Sequence, residues 1–313
     1  MFSRRFLRIK VLKNLYAHFK SGSDSLITTE KNMMHSIDKA YDLYFQMLGL
    51  IVDIKRYAEE RIELGRNKKL PTHEDLNPNM RFVENAVITQ IEDDEALNKR
   101  LEKGGLGWHR YPELIKNLYQ NLVASDYYKA YMAAPKSSYQ EDIRLVQDFY
   151  INTVQDNELL ESVVEEQSIL WCDDIDFALI MVIRTLESCR ENQRELPLRR
   201  QYKSEDDVTF AKELLRKTLV NYKEYEEYVE RFTQNWDVER IAFLDILLLS
   251  TAMAELIGFE SIPVKVTMDE YIEIAKYYST TGSSLFINGI LDKIVESLQS
   301  EGRINKTGRG LLD

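Results

Sequence analysis

Apolar residues recur at intervals of three and four along most of this chain, and strand-like alternation is scarce. In the first twenty residues Leu7, Val11, Leu15 and Phe19, with Leu12 beside them, form one stripe that predicts a helix from about Ser3 to Lys20, with Lys10 and Lys13 facing away. Ser21-Gly22-Ser23-Asp24-Ser25 ends it. A long helix is expected from Thr29 to about Leu64, through Met34, Ile37, Tyr41, Tyr44, Leu48 and Ile51. Gly65 and the stretch Pro71 to Pro78 break the chain into a polar loop. Further helices are expected at Asn79–Lys103, Tyr111–Ala134, Tyr139–Thr153, Glu158–Glu166 and Ile169–Arg190, and Leu196 to Ser204 reads as a linker.

Beyond the linker, Asp206–Gln234 reads as a helix with Phe210, Leu214, Leu215, Tyr222 and Val229 inward, and Trp236–Ala242 as a short connector. Phe243–Ile257 is strongly apolar, with Asp245 and Glu255 its only charged residues, and Gly258 suits a left-handed cap. Thr267 and Glu270 have capping-box spacing for a helix reaching about Tyr278. Ser283–Leu298 follows, with Phe286, Ile290, Leu291 and Ile294 inward, and the polar stretch 301–313 is expected to be mobile. The fold class is all-α.

Composition agrees: 44% of residues are apolar, enough for a sizeable core, and 12 Gly and 6 Pro specify few turns. The net charge is −11, which opposes non-specific nucleic-acid binding. Its distribution differs, since Arg4, Arg5, Arg8, Lys10, Lys13 and Lys20 precede the first acid, Asp24. A Debye length of roughly 8 Å lets such a patch hold phosphate on an acidic body. Cys172 and Cys189 are the only cysteines. On one helix they would stand about 25 Å apart, too far for a disulfide, and they read as reduced residues of a cytosolic protein. Neither a signal peptide nor a run of ~20 apolar residues is recognised.

Catalytic chemistry finds little support. His18, His35, His73 and His109 are scattered without metal-ligand spacing. Gly104-Gly105-Leu106-Gly107 lacks the strand and the Gly-Lys-Ser/Thr of a phosphate loop, and reads as a turn. Asp173, Asp174 and Asp176 suit a helix N-terminus as well as a cation. Single-stranded RNA recognition needs less: cations along a backbone and flat side chains for stacking. Arg4, Arg5, Arg8 and Lys10 supply the first, and Phe2, Phe6, Tyr16 and Phe286 offer rings.

An ordered series of motifs stands near the end of the chain: Asn235-Trp236-Asp237-Val238-Glu239-Arg240-Ile241 leading to Asp245, then Ala252 to Leu256, Ile262-Pro263-Val264, and Phe286-Ile287-Asn288-Gly289-Ile290-Leu291-Asp292-Lys293. Together with the arginine-rich start it resembles the NusB family of bacterial transcription antitermination factors. The resemblance implies two packed helical bundles, here with extra helices in the N-terminal part: 1–205 as a bundle with a long helical insertion, 206–300 as the second bundle. It implies binding of boxA-like single-stranded RNA through Arg4, Arg5, Arg8, Lys10 and Phe286, with Tyr16 and Asp245 contacting ribosomal protein S10 (NusE). It places Asn288, Gly289, Asp292 and Lys293 in the final motif. Other Nus factors and RNA polymerase are the implied further partners, in the bacterial cytoplasm, without cofactor or catalysis. Two other readings compete: a helical protein-interaction module without RNA binding, favoured by the net charge and by Phe6 where the family often carries arginine, and an RNA methyltransferase, for which the Gly-rich α/β domain is not found.

Overall fold

The computed structural model describes residues 1–135, 138–233 and 242–312. Among them there are α-helices, short 3₁₀ and π turns, and no strand. The helices are α1 (Arg4–Lys20), α2 (Leu26–Arg66), α3 (His73–Leu76), α4 (Ala86–Glu92), α5 (Glu95–Gly104), α6 (Pro112–Ala124), α7 (Asp126–Ala133), α8 (Tyr139–Phe149), α9 (Glu158–Gln167), α10 (Ile175–Ser188), α11 (Glu205–Thr233), α12 (Phe243–Gly258), α13 (Val264–Tyr278) and α14 (Ser283–Ser300).

Two compact units result, one from 2–37 with the chain from Tyr202 onward, the other from Asp38–Gln201 with Met1. The expectation grouped the first helix with the inserted segment. Instead α1 packs on α11, α12 and α13, so the basic start and the motif-bearing half make one body.

In the inserted unit the expected long helices are divided at polar residues that cap their successors. Asp94 accepts from Leu97 N at 2.8 Å and opens α5, and Ser125 accepts from Tyr128 N at 3.3 Å and opens α7. Gly105, at φ 59°, closes α5 as a left-handed cap. Buried aromatic hydroxyl and indole groups are satisfied by neighbouring elements: Trp108 Nε1 donates to Gln46 O at 2.9 Å and Tyr150 Oη to Met47 O at 2.7 Å. Cys172 lies before α10 and Cys189 caps its end, so the two do not share a helix. Burial pushes the Cys189 thiol up to about 11.

In the other unit three local expectations change. The connector Trp236–Ala242 lies outside the described residues but for Ala242, as does the first motif from Asn235 to Ile241. Gly258 stays helical, and Phe259 follows it as the cap. No capping box forms at Thr267, because α13 starts earlier, after Pro263, which presets the entry torsion. The tail is docked rather than loose. Lys306 Nζ donates to Phe259 O at 2.9 Å, Thr307 N to Glu260 O at 3.0 Å, and Arg303 pairs with Glu224.

Candidate nucleic-acid interface

Ser3 opens α1 as N-cap, its hydroxyl accepting from Phe6 N at 3.2 Å, and no acid occupies the first turn. A helix start already carries partial positive charge, and Arg4 and Arg5 add two guanidinium groups whose side chains are 41% and 43% exposed. Everything from Phe6 to Leu12 is buried. The helix is enclosed rather than amphipathic, and that corrects two expected contacts. Arg8 and Lys10 are each 2% exposed, so neither presents its charge at the surface. Lys10 was expected to face outward, but its ammonium lies 5.3 Å from the Phe6 ring. Lys13 is half-buried over Tyr278, at 5.4 Å from the ring centre.

Each arginine meets a carboxylate. Arg8 grips Glu255 through two hydrogen bonds of 2.8 and 2.6 Å, and Thr267 Oγ1 at 2.9 Å and Tyr271 Oη at 3.3 Å donate to the same carboxylate. Burial alone would lower the Arg8 pKa, but the charge and hydrogen bonds of Glu255 outweigh it and the group stays cationic. Burial and the Glu255 charge together raise the Tyr271 phenol well above its usual value. Arg5 holds Glu270 bidentately at 2.8 and 3.1 Å, which raises its pKa further. Arg4 Nε donates to Asp207 at 3.1 Å, and the guanidinium lies 5.0 Å from the Phe210 ring centre. Reasoning from sequence missed these three acids. A signal was there for Glu255: a carboxylate inside an apolar run is affordable only with a cationic partner.

Tyr16 is 41% exposed at the far end of α1, with its ring 5.7 Å from that of Phe243. Eleven residues of helix, about 16 Å of axis, separate it from Arg5. The cationic start and the tyrosine are therefore two patches. Asp245 was expected to meet a partner, but it is 4% exposed and accepts from Ser279 Oγ at 2.5 Å and Ser283 Oγ at 2.8 Å. Its carboxylate ties the start of α12 to the turn between α13 and α14. Phe286 is half-buried, while Asn288, Gly289, Asp292 and Lys293 share the exposed face of α14. Among the described residues no His, Cys, Asp and Glu side chains group to hold a metal, and no helix is long and apolar enough to cross a membrane.

Comparison with known proteins gives a consistent result. The model of the NusB family matches residues 176–296. The Transcription antitermination protein NusB of Salinibacter ruber is 50% identical over 103 residues, 33% of this chain and 64% of that protein. The protein of the same name from Chloroherpeton thalassium is 38% identical over 104 residues, 33% of this chain and 49% of its own length. That from Natranaerobius thermophilus is 35% identical over 93 residues, 30% of this chain and 67% of that protein. The chain thus spans about half to two thirds of the length of these relatives. No solved structure gives a significant match.

Proposed function

The chain belongs to the NusB family of transcription antitermination proteins, and from that premise we propose that it binds boxA-type single-stranded RNA of nascent ribosomal transcripts together with ribosomal protein S10. The observation that carries the reading is the acid-free first turn of α1, where Arg4 and Arg5 stand half-exposed. Guanidinium forks match phosphate geometry, and a helix start favours the same anion. Phe286, half-buried and early in α14, offers a ring for base stacking. Arg8 acts in this scheme from inside, by fixing α1 against α12. Tyr16 and the neighbouring Phe243 are the proposed S10 contact, with Asp245 supporting the start of α12 beside them. Other Nus factors and RNA polymerase complete the assembly, in the bacterial cytoplasm, and no catalytic step is assigned.

A second reading, a protein-interaction module without RNA binding, is favoured by one observation: Arg4, Arg5 and Arg8 all meet carboxylates of the same unit. Filter binding of a boxA-type oligonucleotide, with and without S10, separates the two. The double variant Arg4→Ala, Arg5→Ala is expected to lose tenfold or more in RNA affinity, about 1.4 kcal/mol, and to flatten the salt dependence. Unchanged affinity would sink the RNA reading.

A further inference from the structure

The geometry points to Glu270 as a specificity-determining residue that competes with RNA phosphate for Arg5. This inference rests on the proposed RNA reading and deepens it. Glu270 Oε2 and Oε1 accept from Arg5 Nε and Nη2 at 2.8 and 3.1 Å. That is the planar two-bond fork a phosphate would use on the same edge of the guanidinium. Glu270 is only 21% exposed, against 43% for Arg5, so the acid is the fixed member of the pair and the arginine the accessible one. It is fixed from behind: Arg8 Nη1 lies 3.7 Å from Glu270 Oε2, and Arg8 is itself locked on Glu255. The acid is therefore no mobile rim charge that drifts away when an anion approaches.

Two consequences follow. An incoming phosphate must displace the carboxylate from the Nε–Nη2 edge, or approach the remaining edge against its negative charge. Either route costs affinity, and the cost is unequal: a strand positioned by the rest of the interface to use the remaining edge loses less than a polyanion that must displace the carboxylate. Asp207 stands in the same relation to Arg4 with a single bond of 3.1 Å, so neighbouring phosphates on one strand meet two occupied arginines. A strand whose shape engages both arginines and the rest of the interface recovers the cost over several contacts. A polyanion held by charge alone does not. Glu270 thereby trades affinity for selectivity.

The test uses the full chain, a boxA-type single-stranded RNA oligonucleotide, and heparin as an unrelated polyanion. Glu270→Gln is expected to bind the RNA about fivefold tighter at low salt, the scale of a half-exposed ion pair, and to gain by a larger factor for heparin, so that heparin displaces the RNA from the variant at a lower excess than from the wild type. Glu270→Asp keeps the charge but withdraws the fork by one methylene, and a smaller gain of the same sign is expected. Glu227→Gln, the same charge change at an exposed position of α11, should alter affinity less than twofold. In the Arg5→Ala background the Glu270→Gln gain should vanish. Melting curves establish that each variant is folded. Wild-type binding that Glu270→Gln leaves unchanged or weakens, or a gain that survives removal of Arg5, overturns the inference alone. Folded wild type and variants that all fail to bind the RNA, with or without S10, overturn the RNA reading and the inference with it.

Discussion

Arg8 and Glu255, 247 positions apart in sequence, are joined by two hydrogen bonds of 2.8 and 2.6 Å with side chains only 3% and 0% exposed. Removing one partner of a buried pair strands the other, which costs about 3–5 kcal/mol. Glu255→Gln should therefore lower the unfolding free energy by that order. Arg8→Met with Glu255→Leu, which removes both charges, should cost less than the single change. Denaturant titration of the three proteins checks this. A single variant as stable as wild type would contradict the pairing.

Asp245 is expected to act through stability. Asp245→Ala leaves the hydroxyls of Ser279 and Ser283 without their acceptor and should cost about 1–3 kcal/mol. Thermal melting reads the loss, and amide exchange should rise in the turn from Ser279 to Ser283. An unchanged melting temperature would show that the carboxylate is not committed to those serines.

Gly310 sets the position of the tail. A Cβ there would stand 1.9 Å from the carbonyl oxygen of Glu260, whose backbone cannot swing aside as a side chain can. Gly310→Ala should release the segment and expose the Thr307 amide to exchange, with a loss of about 1 kcal/mol for the hydrogen bond to Glu260. Slow exchange at Thr307 in the variant would show that the tail docks without this close approach.

Acid should weaken the inserted unit through Glu92. Burial raises its pKa, but the hydrogen bond from Lys55 at 2.5 Å and the charges of Lys55 and Arg56 outweigh it, so the group titrates below 4.5. A depressed carboxylate stabilises fully above its unfolded value and loses that contribution as pH falls through the folded one. The side chain is 25% exposed, so the contribution stays at or below about 1 kcal/mol. The stability difference between wild type and Glu92→Gln, measured in urea, should shrink from pH 7 to pH 3. A difference that grows on acidification would reverse the sign.

The three- and four-residue period of apolar positions by itself determined that the chain is helical. The motif series from Asn235 to Lys293, together with the arginine-rich start, pointed to its family. Polar and glycine punctuation placed most element ends, as at Gly105 and near Leu196–Ser204. Periodicity failed at α1 because it reports which face is buried only when a helix has one free face. Enclosed by α11, α12 and α13, this helix buries Arg8 and Lys10 together with its leucines. The capping-box reading at Thr267 and Glu270 failed because α13 opens earlier, after Pro263, which leaves both side chains inside the helix and free to meet other elements. Their spacing suits a local cap, but Thr267 donates to Glu255 on the preceding helix and Glu270 holds Arg5, 265 positions away. Tertiary structure alone decided which cations stand at the surface and which acid each one meets, since ion pairs between distant segments depend on how helices pack and leave no periodic trace in the chain.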